Sequence, residues 1–191
     1  MVTAVIPFRS GGKSRLPPEL RVEAALAMLG DVLEAATLAA DRVRLVTDDG
    51  AAIVIAAELD VELVIDPAGG QAAAVVAGLA GLDGPCVVVN ADLPCATPEA
   101  LTRLAASGAA LVAAADGTTN ALSLPGPAAF APLYGAGSAA RFESGGLTPV
   151  SIPELEQDVD TLADLEQLSL PVGARTSLVL NQHKLLVVSA S

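Results

Sequence analysis

The chain has 191 residues, enough for one α/β domain with a full core and too few for two domains of ordinary size. Hydrophobic residues make up 52% of it, yet no apolar run reaches the roughly 18 to 20 residues of a membrane span. Ten Lys+Arg against 22 Asp+Glu give a formal charge of -12, and the aromatic set is three Phe and one Tyr; a phosphate backbone would repel such a chain and find few rings to stack on, which excludes nucleic acid as a partner.

Val2 to Pro7 (VTAVIP) is a short apolar run that reads as a buried strand, and Phe8 to Leu16 (FRSGGKSRL) reads as the loop after it. No basic region precedes the apolar residues, so the segment is not a signal peptide and a cytoplasmic location is expected. Pro17-Pro18-Glu19 opens a helix, because proline and an acid suit a first turn, and Val22, Leu26, Leu29 and Leu33 supply its apolar stripe. Strand and helix then alternate: Val43 to Thr47, Ala51 to Glu58, Val61 to Ile65, Gln71 to Leu82, and the strand Cys86 to Asn90 (CVVVN). This alternation predicts right-handed crossovers and a mostly parallel sheet covered on both faces, a single three-layer α/β/α domain that takes ligands at the carboxyl ends of its strands.

Thr97-Pro98-Glu99 supplies an N-cap, a first-turn proline and an early acid for a helix to about Ala106. Ala109 to Ala114 and Asn120 to Leu124 flank the turn pair Asp116-Gly117, which predicts antiparallel pairing late in a mixed sheet. Pro125 to Gly146 is rich in Gly, Pro and Ala and predicts no regular element. Val150 to Ile152 and Val159 are short strand candidates, and Thr161 to Leu168 is a helix. Leu170 to Ser191 reads as an appendage, with a helix over Ala174 to Leu180 and a loosely specified tail from 181 to 191. Cys86 and Cys95 fit no CxxC or disulfide pattern and are expected as buried small side chains in a reducing compartment.

Three places carry residues with chemistry to offer. Arg9-Ser10-Gly11-Gly12-Lys13-Ser14-Arg15 combines glycines, which let backbone amides approach an anion, with basic side chains that bond phosphate oxygens. It matches neither GxxxxGK[ST] nor GxGxxG, and by composition alone the competing reading is a solvated turn. Asn90-Ala91-Asp92-Leu93-Pro94 puts a carboxylate at the end of a strand, where it could hold Mg²⁺ or simply cap a turn. In Asp158-Val159-Asp160 an extended backbone turns both carboxylates to one side, either toward one cation or toward solvent at a strand end. Asp48-Asp49-Gly50 reads as a solvated turn, and Glu143, Glu154 and Glu156 as surface acids. His183 is the only histidine and lies in the tail, which removes a His-based triad or zinc site.

With GGKSRL, ADLP, DGTTNAL, YGAGSAARF and DVDTLADL in this order, the chain resembles the 2-phospho-L-lactate/phosphoenolpyruvate guanylyltransferases of coenzyme F-420 biosynthesis, over about Val2 to Leu180. The resemblance implies the nucleotide-diphospho-sugar transferase (Rossmann-like) fold and transfer of GMP from GTP to a phosphorylated three-carbon acid. It assigns Lys13 and Arg15 to the nucleotide phosphates and Pro7, Gly12, Gly70 and Gln71 to the rest of the nucleotide. Asp92, Asp158 and Asp160 match the Mg²⁺ ligands, with Lys13, Arg15 and Asp92 closest to catalysis, and Thr119, Gly135 and Ser138 match the acceptor site. The chain departs from the pattern at Arg9, where lysine is usual, in a shortened loop before Lys13, and at Ala91, Gln71 and Ala139. Three readings stay open: this guanylyltransferase, an enzyme of the same fold for 3-phosphoglycerate, a molybdenum cofactor or a sugar phosphate, and a nucleotide-binding protein without turnover. The oligomeric state, monomer or homodimer, is open as well.

Overall fold

The computed structural model describes residues 1–10 and 16–183. One sheet is built from β1 (Thr3–Pro7), β2 (Arg42–Thr47), β3 (Glu62–Ile65), β4 (Cys86–Val89), β5 (Ala110–Ala113), β6 (Thr119–Leu124) and β7 (Thr148–Pro149). Their order is β3-β2-β1-β4-β6-β5-β7; β6 is antiparallel to both its neighbours, and every other pairing is parallel. The reversal follows from the short Asp116-Gly117 connection: Asp116 accepts the Thr118 N–H at 2.8 Å, and Gly117 takes φ of 81°.

The helices are α1 (Pro18–Ala39), α2 (Gly50–Glu58), α3 (Gln71–Leu79), α4 (Pro98–Ala106), α5 (Ser138–Ser144), α6 (Pro153–Glu156), α7 (Leu162–Gln167) and α8 (Ala174–Gln182). Alternation along the strands divides the core. Ala4, Ile6, Leu45, Val87 and Val89 face Leu29 and Leu33 of α1 and Leu101 and Leu104 of α4, whereas Val5, Val46, Val88 and Leu122 face Val75 and Leu79 of α3 and Phe142 of α5. The expected three-layer α/β/α architecture is therefore present. On the α3 side the layers approach closely at Gly78, where an added Cβ would lie 2.4 Å from Val5 and 2.7 Å from Val46.

Some elements differ from expectation. The strand at the sheet edge ends at Pro149 and Ile152 instead occupies the N-cap position of α6, so Val150 to Ile152 is not a strand. Val159 is buried but lies outside any strand. The Gly/Pro/Ala-rich stretch contains α5, begun by Gly137 with φ of 69°. The C-terminal helix is no appendage: α8 packs on α1 and runs past Leu180 to Gln182, and the tail beyond His183 lies outside the described residues. No helix among the described residues is long and apolar enough to cross a membrane.

From β1 the chain crosses to β2 and β3 on one side, while β4 and the later strands build out on the other. The carboxyl ends of β1 and β4 thus flank the point where the winding reverses, the position at which open α/β sheets hold ligands.

Candidate active site

A cleft of about 270 Å³ opens at that point. Pro7 ends β1 and Phe8 to Ser10 follow it; Asn90, Ala91 and Asp92 follow β4; Gln71 and Ala74 come from α3. Ala25 and Met28 of α1 and Val159 add apolar wall, and Asp66 and Asp160 complete the lining. Apolar sides with a few convergent polar groups suit a flat base and its polar edge.

Asp92 and the Asp158–Asp160 segment are distant in sequence, and one backbone bond joins them: the Val159 N–H donates to the Asp92 carbonyl at 3.1 Å. Val159 turns into the core, so its two neighbours flank the Asp92 loop. Asp160 lines both the cleft and a second cavity of about 270 Å³, whose walls also carry Asp116, Asp158 and Asp164. Asp92 Oδ1 is buried without a hydrogen-bond partner. Burial first, then the charges of Asp158 and Asp160, push the Asp92 carboxyl up to about 7. Burial also raises Asp158, against the Asn120 Nδ2 that donates to its Oδ1 at 3.3 Å. An orphaned, buried carboxylate oxygen next to further carboxylates has the donor chemistry that a hard divalent cation requires. Among the described residues no three His, Cys, Asp or Glu side chains form a ready-made metal cage. Magnesium does not need one, because it keeps several waters and commonly takes one or two carboxylates plus substrate phosphates.

Within the same cleft, Arg9 makes a two-pronged bond to Asp66, the residue after β3. The Asp66 side chain is 1% exposed and that of Arg9 40% exposed, so a buried carboxylate anchors a guanidinium at the cleft. The Arg9 contact holds the Asp66 carboxyl below the usual carboxylate range, and Asp66 raises Arg9 in turn. Asp49 is not the solvated turn residue expected from sequence. It caps α2, accepting the Ala51 and Ala52 N–H groups at 2.9 and 3.0 Å, and it also bonds Ser10.

Of the other residues singled out in the sequence, Pro7 and Gln71 line the cleft, and Gly70 precedes α3 with φ of 83°. Thr119 and Ser138 are both buried and hydrogen-bonded to each other at 3.0 Å, and Gly135 accepts the Ser138 N–H at 2.9 Å, so these three form one unit beside the start of β6. Gly12, Lys13 and Arg15 lie outside the described residues. Cys86 and Cys95 are buried free thiols, as expected. Glu154 pairs with Arg103 and Glu156 accepts from Ser151. Sequence reasoning missed Asp66 and the role of Asn90. Both stand first after a strand whose carboxyl end faces the ligand crevice, and that position is the signal that could have found them.

Residues 18–178 match the family model described as MobA-like NTP transferase domain. The chain is 36% identical to the phosphoenolpyruvate guanylyltransferase of Streptomyces coelicolor, over 93% of this chain and 94% of that protein. It is 35% identical to the 2-phospho-L-lactate guanylyltransferase of Halomicrobium mukohataei, over 87% and 84% of the two chains. Among solved structures, a protein described as a nucleotide-diphospho-sugar transferase from Desulfovibrio desulfuricans superposes with a TM-score of 0.68 at 15% identity, covering 96% of each chain, which establishes the shared fold.

Proposed function

Because the chain belongs to the MobA-like NTP transferase family and is a nucleotidyltransferase, we propose that it transfers GMP from GTP to the phosphate of phosphoenolpyruvate, releasing pyrophosphate, as a step toward coenzyme F-420. The observation that carries this reading is the orphaned Asp92 Oδ1 beside Asp158 and Asp160, at the carboxyl end of β4. Phosphoenolpyruvate is preferred over 2-phospho-L-lactate as acceptor because the relatives at 36% identity carry that name.

In the reaction an acceptor phosphate oxygen forms a bond to the α-phosphorus of GTP, and the bond from that phosphorus to the oxygen bridging to the β-phosphate breaks. The acceptor phosphate is already ionised near neutral pH, so no protein nucleophile is required. Two anions must be held together against repulsion, and positioning with charge stabilisation supplies the rate. Asp92, Asp158 and Asp160 would hold Mg²⁺, which when bound offsets that repulsion and polarises the phosphoryl oxygens. Gln71, Pro7 and the apolar wall at Met28 and Phe8 would take the base, and Gly70 the adjacent backbone. Lys13 and Arg15 of the basic loop would steady the β- and γ-phosphates as charge moves onto the leaving group. Thr119, Gly135 and Ser138 would bind the acceptor.

Pyrophosphate release is the direct test, with each of four nucleoside triphosphates paired with phosphoenolpyruvate, 2-phospho-L-lactate or 3-phosphoglycerate in the presence of Mg²⁺. Release is expected from GTP with phosphoenolpyruvate, and Asp92→Asn or Asp160→Asn should lower it about 100-fold or more while the melting transition persists. Turnover with another nucleotide alone, or full activity in both variants, would overturn the reading.

A further inference from the structure

Asn90 is the first residue after β4, and its backbone N–H donates to the Asn120 carbonyl at 2.9 Å, which locks it to β6. Its side chain bridges the two halves of the site. Nδ2 donates to the Thr119 carbonyl at 3.2 Å, and Oδ1 accepts from Gln71 Nε2 at 2.7 Å.

This chain of amides has only one favourable direction. A backbone carbonyl accepts and never donates, so Asn90 must turn its NH₂ toward Thr119. Its carbonyl end then faces Gln71, which must answer with its own NH₂. Gln71 lines the cleft, and its remaining end, Oε1, takes no hydrogen bond from any described residue. Turning Gln71 round would set two carbonyl oxygens against each other. Turning Asn90 as well only moves that clash to the Thr119 carbonyl.

From this we infer that Asn90 is a positioning residue that fixes which end of the Gln71 amide meets the nucleotide, and so selects guanine over adenine. The inference rests on the proposed reading that the base docks at Gln71. Guanine carries a donor at N1 where adenine carries an acceptor, and its 2-amino group is a second donor beside it. An oxygen held opposite the N1 and C2 positions therefore accepts from guanine N1–H or its 2-amino group, whereas adenine offers no donor there, its 6-amino group lying on the other side of N1. A freely turning glutamine would pair with either base, so the discrimination depends on Asn90 even though its side-chain bonds are made to Thr119 and Gln71.

The test is equilibrium titration of GTP and ATP, without acceptor, on wild type, Asn90→Leu, Gln71→Leu and the double variant. Using the ratio of the two Kd values on one preparation cancels the active fraction, and a thermal melt reports folding separately. Wild type should favour GTP, and Asn90→Leu should lose about three- to tenfold of that ratio, the worth of one neutral hydrogen bond. In the Gln71→Leu background the same change should cost nothing further in selectivity, because Asn90 acts through Gln71. If Asn90→Leu gives no folded protein, Asn90→Ser makes the same test with a smaller side chain. An unchanged ratio in the Asn90 variant, or a loss that adds in full to that of Gln71→Leu, overturns the inference while leaving guanylyl transfer intact. A wild-type chain with no preference for GTP overturns both.

Discussion

Asp31 lies within α1, 4% exposed, yet its carboxylate serves α8. Its two oxygens accept the N–H groups of Arg175 and Thr176, each at 2.9 Å, across 144 and 145 residues of sequence. Gly173 at the N-cap position of α8 has no side chain to do this, and a Cβ there would come 2.2 Å from the Asp31 carboxyl carbon. One helix thus caps another. Asp31→Asn keeps the size but aims an NH₂ at one of the two donors. That loses one charge-assisted bond, about 1.5 to 3 kcal/mol, and the attraction of an anion for a helix N-terminus, up to about 1 kcal/mol. The sum is about 2 to 4 kcal/mol, or a fall in Tm of roughly 5 to 15 °C for a chain of this size. Urea denaturation followed by circular dichroism measures the first, and amide exchange at Arg175 and Thr176 should accelerate before the sheet opens. A stability change under about 0.5 kcal/mol, with those amides still protected, would show that α8 is held by packing alone and refute the capping argument.

Gly78→Ala should destabilise by about 1 to 2 kcal/mol, since overpacking against the fully buried Val5 and Val46 outweighs the better helix propensity of alanine. Val5→Ala in the same chain should recover part of that loss, and a Gly78→Ala variant more stable than wild type would refute the close approach of α3 to the sheet. For Asp66, a carboxyl held low by Arg9 contributes stability that is fully present above its unfolded pKa of about 4 and is lost as pH falls through the lower folded value. The stability gap between wild type and Asp66→Asn should therefore be constant above about pH 5 and shrink below about pH 4; denaturation curves across that range check it, and a gap independent of pH would show that the ion pair is not its source.

The apolar runs made the parallel strands visible in the sequence, and with them the strand ends where ligands sit, so Asp92 could be placed from CVVVN alone. The Asp158-Val159-Asp160 pattern was also legible, because Val159 had to turn inward and so carried its neighbours outward. Strand order was not legible in the same way. Arg9 follows β1 and Asp66 follows β3, and their contact across the carboxyl end of the sheet depends on an order that no local pattern encodes. The docking of α8 escaped for a related reason: the helix is short, its N-cap is a bare glycine, and the aspartate that completes it stands on α1. Asp49 is a different kind of miss. An aspartate just before a helical run is a capping signal, and the adjacent Asp48 and Gly50 disguised it as a turn.

Among the described residues six carboxyls are displaced from their ordinary value, and they divide by direction. Asp49 caps a helix, Asp116 closes a turn, and Glu62 and Asp66 pair with arginines; hydrogen bonding holds all four below the ordinary value. Each of these charges is therefore already answered by a donor within the chain. Asp92 and Asp158 are displaced the other way, first by burial and then by neighbouring carboxylates, Asp158 and Asp160 for Asp92 and Asp116 and Asp160 for Asp158; among the described residues no other carboxyl with a resolved displacement moves upward. Asp92 Oδ1 has no hydrogen-bond partner and Asp158 Oδ1 accepts from Asn120 at 3.3 Å, so burial leaves this pair less compensated than the other four. The arrangement makes sense if the compensating charge arrives from outside, with the nucleotide, which is what the reaction proposed for this cleft requires.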